Sequence, residues 1–343
     1  MTLSRRAISF SIALLTMTVP SWAQSAHDFF KGKTLTLLIS SSSGGGYDTL
    51  GRLVARHLSA HLPINASVLV RNMPGAGGII ATNYLYAGAP KDGTTIGLVQ
   101  NNTPFEPLYG TKEADYDAKN FNWLGSPSTE TGLLVVWHTA PVNSIEDVIK
   151  KQITVASSGE HSTPSFYARL LNKTLGTKMK IVVGYPGQAE AFLAMERGEV
   201  DGFPSTFYSS LMASHPTWVK DGKLKLLVQF GLKKEQALPN VPFAPDLVKN
   251  AKNKLLLQAG LAGISIGRPF LAPPGVPKDR VAALRKALAA TFKDPKFLAE
   301  ADAIHLFVNE PRTGAELAQS IAAAYKMPAD VLARLKRLTA RGG

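Results

Sequence analysis

Residues 35–58 read LTLLISSSSGGGYDTLGRLVARHL. Leu35–Ile39 is an apolar, strand-like run. From Asp48 onward the apolar positions Leu50, Leu53, Val54 and Leu58 recur at three- and four-residue spacing, which is one face of a helix. Ser40–Ser43 and Gly44–Gly46 lie between, with no acid or base among them. A strand that empties through a small-residue loop into a helix is the building unit of an α/β fold. Such a loop frees backbone N–H groups at the first turn of the helix. There the orphan donors and the positive dipole end suit a carboxylate or a phosphate. Glycine permits a close backbone approach that a Cβ would block.

The same design recurs along the chain. Strands are predicted at Leu35–Ile39, Ser67–Arg71, Thr95–Val99, Leu133–Trp137, Ile153–Ala156, Lys180–Val183 and Lys225–Phe230. Helical patterns at Asp48–His61, Ser144–Lys151, Ser162–Leu175 and Ala189–Arg197 fall between them. The final third reads as mostly helical, with a capping box of Thr313 and Glu316. Five small-residue loops follow five of these strands: the Ser40–Asp48 segment, NMPGAGG from Asn72, QNNTPF from Gln100, SSGEHSTPSFY from Ser157, and GYPGQ from Gly184. In open α/β sheets, ligands bind in the crevice outside such strand ends.

The bulk numbers limit the partners. Met1–Arg6 carries two arginines, Ala7–Val19 is a short uncharged run, and Ser21 and Ala23 make a small-residue cleavage site, so residues 1–23 read as a secretory signal peptide. The run is too short to span about 30 Å of hydrocarbon. Its removal deletes two arginines and no acids, which takes the net charge from +13 to +11. The remaining Lys and Arg are scattered, without a basic block interleaved with aromatics, so no nucleic-acid partner is expected. A positive field favouring anionic small ligands is the milder inference. The chain contains no cysteine, which excludes disulfides, thiol catalysis and cysteine-ligated metals.

Catalytic and cofactor patterns are scarce. No P-loop string occurs, and Gly75–Ile80 (GAGGII) lacks the third glycine of a dinucleotide fingerprint. Gly263–Gly267 spells G-x-S-x-G around Ser265, but Arg268 and Pro269 follow, and the context reads as extended instead of a strand-to-helix elbow. His57 and His61 stand four apart on a helix, a spacing that suits a metal but more commonly marks a solvated face. Asp48 and Glu190 each lie at a helix start, where a cap is the ordinary role. No cofactor or metal is expected.

Four stretches carry a resemblance: SSGGGYDTLGRLVARHL, NMPGAGG, APKDGTTIGL and FLAPPGVPKDRVAALRKAL. In this order they resemble the periplasmic substrate-binding proteins of tripartite tricarboxylate transporters, the Bug or TctC-like family, from about Phe29 to the C-terminus. The resemblance implies a type II periplasmic binding protein fold, two α/β lobes with a ligand cleft between them. The expected division is residues 24–129 for the first part of lobe one, 130–250 for lobe two, and 251–343 completing lobe one. It also implies a monomeric receptor in the periplasm that holds a small carboxylate and delivers it to integral membrane transporter subunits.

On this reading Ser42, Ser43, Gly44, Gly45, Tyr47, Gly75, Ala76, Gly77 and Asn101 form one wall of the anion site. Ser157, Ser158, Ser162, Tyr185 and Gly187 form the other. Backbone amides, small hydroxyls and bridging waters hold the carboxylate in this family. The chain departs from the usual spelling at Ser40, Ser41, Ser43 and Tyr47, and at Glu160 and His161 in the second-lobe loop. An acid near the cleft fits a simple dicarboxylate less well. Of five aromatics that could suit an aromatic acid (Tyr47, Phe105, Tyr185, Phe203 and Phe207), Tyr47 and Tyr185 are the two expected at the ligand. Two other readings stand beside it: a ligand sensor for a kinase ectodomain, and an exported hydrolase using Ser42, Ser158 or Ser265.

Overall fold

The computed structural model describes residues 26–63, 66–306 and 308–339. The signal-peptide segment lies outside them. Among the described residues, eleven strands form two sheets. In chain order they are β1 Thr34–Ile39, β2 Ser67–Asn72, β3 Thr95–Leu98, β4 Asn122–Ser126, β5 Gly132–Trp137, β6 Ile153–Ser157, β7 Met179–Val183, β8 Gly202–Phe207, β9 Leu224–Phe230, β10 Phe270–Ala272 and β11 Arg312–Thr313. The first sheet has the order β11-β4-β10-β3-β1-β2 and the second β7-β6-β8-β5-β9. β1 runs parallel to β2 and β3, and β6 runs parallel to β7 and β8, so the helical crossovers between them cover the sheet faces. The remaining pairings in both sheets, made by β10, β11 and β5, are antiparallel.

Each predicted strand is present, within a residue or two of the expected ends. β4, β8, β10 and β11 were not legible. β8 reads GFPSTF, and its glycine and proline spell a turn, yet all six residues are buried. Its pairing to β5 is Leu133 with Thr206 and Val135 with Phe203, so Pro204 and Ser205 together face Leu134. That bulge accommodates a proline, which has no N–H to give a ladder.

The chain leaves the first sheet after Ser126 and enters the second at Gly132, then returns to the first at Phe270. The two crossings pack tightly. Gly267 adopts φ +62°, and a Cβ there would lie 1.8 Å from the Ser128 carbonyl oxygen. The C-terminal helix Ala329–Thr339 lies against Glu106–Tyr109 of the first lobe and Thr163–Leu175 of the second. One apolar core consequently runs from Leu38, Ile79 and Phe105 through Phe166 and Tyr167 to Leu134 and Val136. Two further cores fill the outer faces of the sheets, one under the helix Gly46–Leu58 and one under Gln188–Glu196.

Candidate functional site

Three helices begin at one hollow between the sheets. Gly46–Leu58 starts from Gly45, Gln188–Glu196 from Gly187, and Thr163–Leu175 from Ser162, and none of these three positions caps its helix with a side chain. Gly45 and Gly46, Gly187 and Gln188, and Thr163 and Pro164 all line the same cavity of about 600 Å³, a volume that includes its open mouth. The positive ends of three helix dipoles, two from the second lobe and one from the first, thus converge where water or a ligand can reach them.

Ser42, Gly45, Tyr47, Ser158 and Gly187, all read from the sequence, line this cavity. Gly75, Gly77 and Tyr185 line an adjoining hollow that shares Gln100, Ser158 and Pro186 with it. The others serve the loops themselves. Ser43 Oγ donates to Asp48 Oδ2 at 3.1 Å and the Gly44 amide to the same oxygen at 2.9 Å. Asn72 Nδ2 and Arg52 Nε complete the carboxylate's shell at 2.9 and 3.0 Å. Burial pushes the Asp48 carboxyl up, but Arg52, Gly44 and Asn72 outweigh it and hold the pKa below its ordinary value. Asp48 is thereby an ionised brace that shapes the serine–glycine loop. The Ser157 and Ser162 hydroxyls sit 2.7 Å apart, and Ser162 Oγ donates to the Gly159 carbonyl at 2.8 Å. The Asn101 amide donates to Tyr47 Oη at 2.9 Å, which fixes the ring across the cavity, and Ala76 holds a left-handed turn at φ 47°.

Phe203 and Phe207 line the cavity with Tyr47, whose ring centroid is 6.2 Å from that of Phe207. Phe105 is fully buried and stacks on Tyr109 in the core. Glu160 and His161 do not line the cavity. Glu160 pairs with Arg169, while His161 Nδ1 lies within 3.3 Å of Thr111 Oγ1 and 3.6 Å of the buried Glu106 Oε2. The acid expected near the cleft therefore lies off it. His57 and His61 do not form a bare solvated pair either: their Nε2 atoms meet Glu300 at 2.6 Å and Asp294 at 2.8 Å, docking the helix Pro295–Ala303 onto Gly46–Leu58. Ser265 ends a short helix, Ala262–Ser265, instead of lying in an extended segment, and its hydroxyl donates to the Ala262 carbonyl at 2.7 Å.

Beneath the cavity lies a group that no local pattern in the sequence announces. Arg268, in the second crossing, is fully buried, and Glu130, in the first, is nearly so. Arg268 Nε is 2.9 Å from Glu130 Oε1, close enough to pair although its N–H is not aimed at that oxygen. Nη1 donates to the Gly46 carbonyl at 2.7 Å, and Nη2 to Ser209 and Ser210 at 2.7 and 2.5 Å. The guanidinium also lies 5.6 Å from the Tyr47 ring centroid and 5.3 Å from that of Phe207. One side chain thus ties both crossings to both lobes. The only signal in the sequence was an arginine in an otherwise apolar run.

The lobes are in contact around the cavity. Ser42 Oγ donates to Glu190 Oε2 at 3.3 Å, across the two lobes. A Cβ on Gly77 would lie 2.5 Å from Ser162 Cα. Behind this seam Glu106 is fully buried and accepts from Asn102 and, at 2.5 Å, from Thr111. Burial pushes its carboxyl from an ordinary 4.5 up to about 8, against the lowering effect of Thr111, Asn102 and Arg169. Between those two pH values the folded chain keeps a proton that the unfolded chain has released. Its stabilising contribution is whole below about pH 4.5 and is lost as pH rises to about 8, by roughly 1.4 kcal/mol per pH unit. Urea denaturation at pH 5, 6, 7 and 8 should show Glu106→Gln gaining on the wild type with each step, whereas parallel curves would place the proton elsewhere.

The chain has relatives among known proteins. The chain is 28% identical over 256 residues to the UPF0065 protein in the gbd 5′ region of Cupriavidus necator, covering 71% of this chain and 73% of that one. It is 25% identical over 300 residues to the UPF0065 protein in the tcbD–tcbE intergenic region of Pseudomonas sp. strain P51, covering 84% and 83%. Among solved structures, MatC from Rhodopseudomonas palustris with bound malate superposes with a TM-score of 0.69 at 21% identity, over 90% of this chain and 99% of that one. The periplasmic binding protein BugD gives 0.67 at 22% identity, over 86% and 96%. These likenesses show a two-lobed periplasmic binding fold. The profile of the tripartite tricarboxylate transporter family receptor, TctC, matches residues 50–336. The chain belongs to the TctC family of tripartite tricarboxylate transporter receptors.

Proposed function

We propose that the protein is a periplasmic receptor that closes on one small organic acid and hands it to the membrane subunits of a tripartite transporter. The observation that carries this reading is the convergence of three helix N-termini, without side-chain caps, on one cavity between the lobes. A carboxylate there gains backbone N–H donors from both lobes and neutralises the dipole ends, so it joins the lobes chemically. Ser158 adds a hydroxyl from the second lobe. The lobes of this reading are residues 24–129 and 130–250, with 251–343 completing the first, and sheet membership supports it. The bound malate of MatC, and the adipate solved with a second R. palustris protein of the same fold at 20% identity, are acids of the expected kind. No helix among the described residues is long and apolar enough to cross a membrane, which agrees with a receptor acting beside its transporter.

A thermal-shift panel of mono-, di- and aromatic carboxylates tests the reading. A ligand at 100 times its Kd stabilises the folded state by about 2.7 kcal/mol, and Tm should rise accordingly. Gly45→Val should abolish the shift while leaving the unliganded Tm nearly unchanged. A Cβ at Gly45 meets only Gln188, at 3.6 Å from Cβ and 3.9 Å from N, so the larger side chain grows over the amide that receives the anion. A full panel without a shift, on folded protein, would remove carboxylate binding from consideration.

A further inference from the structure

The cavity's lining contains a polar group that the protein itself leaves without a partner. Ser205 Oγ is buried and has no hydrogen-bond partner, yet Ser205 lines the cavity between Phe203 and Phe207. It occupies the β8 bulge, where Pro204 and Ser205 share one position opposite Leu134. Bulges of this kind re-aim a side chain, and Ser205 lines the hollow together with Phe203 and Phe207. Stranding a hydroxyl away from water is unfavourable unless something meets it. The same lining presents apolar or aromatic surface from Tyr47, Phe203, Phe207 and Pro164, beside the polar Gln100, Gln188 and Ser210.

Charge then narrows the class. Among the described residues, none that lines this cavity carries a charge. Arg268, beneath the cavity, is committed to Glu130, the Gly46 carbonyl and two serines. One carboxylate is satisfied at the three helix starts. A second would be set among aromatic faces without a counter-ion, which is costly, whereas a neutral hydroxyl is satisfied by one hydrogen bond.

Resting on the receptor reading above, we propose that Ser205 is the specificity-determining residue of this site. It selects a monocarboxylate whose flat apolar body carries a neutral hydrogen-bonding substituent, a hydroxylated aromatic acid being the simplest form. The carboxylate lies at the helix starts, the ring between Tyr47, Phe203 and Phe207, and the substituent against Ser205 Oγ.

Calorimetric titration with benzoate, its three monohydroxy isomers, terephthalate, malate and adipate tests this. At least one hydroxy isomer should bind about tenfold more tightly than benzoate, the equivalent of one hydrogen bond to an otherwise unsatisfied group. Terephthalate and adipate should bind more weakly than benzoate. In Ser205→Ala the ratio between that isomer and benzoate should fall toward one, a change that a general loss of packing does not produce. The proposal is overturned if benzoate equals every hydroxy isomer, or if Ser205→Ala keeps the ratio. Binding confined to malate, adipate or terephthalate also overturns it while leaving the carboxylate receptor standing. Silence from every acid in the set removes both.

Discussion

Arg268→Ala should destabilise the protein by about 3–5 kcal/mol, the usual cost of leaving a buried ion pair with one partner. Glu130 would then be held almost without solvent, retaining only Ser128 Oγ at 3.0 Å and Ser209 Oγ at 2.7 Å as donors. The Gly46 carbonyl and the Ser210 hydroxyl would lose a donor as well. Urea denaturation would read the loss directly. The double variant Arg268→Met with Glu130→Gln should recover most of it, because the desolvated charge disappears along with its partner. Equal instability of the single and double variants would mean that the guanidinium acts through its hydrogen bonds to the lobes and not through Glu130. Because Arg268 holds the first turn of the helix that begins at Gly46, even a folded Arg268 variant should bind ligand more weakly.

Gly77→Val should lower ligand affinity by about a hundredfold or more. Gly77 takes a left-handed φ of +66°, and its missing Cβ makes room for the backbone of Ser162, 2.5 Å from Cα and 2.7 Å from N. A side chain there meets the second lobe's backbone, which cannot turn aside as a flexible side chain would. If the closed arrangement falls to about 1% of molecules, apparent affinity falls by the same factor. Backbone strain alone would cost a residue in this region roughly 1–2 kcal/mol of stability. Gly44 separates the two effects. Its φ of +85° imposes comparable strain, but a Cβ there reaches only Ala189 Cβ at 3.6 Å, an ordinary contact. Gly44→Ala should therefore lose stability and keep binding, while Gly77→Val loses both. Equal affinities for the two variants would dissociate the seam at Gly77 from ligand capture.

Much of the fold was legible from local pattern. Apolar runs such as Leu35–Ile39 and Leu133–Trp137 are strands because both faces are buried, and the three- and four-residue spacing of Leu50, Leu53, Val54 and Leu58 makes one buried helix face. The strands that escaped notice are those that tertiary contacts impose. β10 and β11 are three and two residues long, and their hydrogen bonds go to β3 and β4, far away in sequence. β8 contradicts its own propensities, and it forms because the second sheet needs a strand between β6 and β5.

The loops were also legible, since small residues between a strand and a helix announce an exposed backbone wherever they occur. Their division of labour was not. Ser42 and Ser158 face the cavity, whereas Ser43 braces Asp48 and Ser157 and Ser162 bond to one another, although all five are serines in similar loops. Nothing local distinguishes them, because the difference lies in which way the loop turns and what stands across from it.

By itself, then, the sequence determined the family, the α/β character and the five loops where backbone amides gather, because periodicity and small-residue spelling are local properties. Only the tertiary structure decided that three helix starts meet at one cavity and that Phe203, Ser205 and Phe207 line it. It likewise decided that Arg268 and Glu130 lock the two crossings together beneath. Those facts depend on contacts between segments more than a hundred residues apart, such as Gly46 with Arg268 and Ser42 with Glu190, and such contacts leave no mark in any single stretch of sequence.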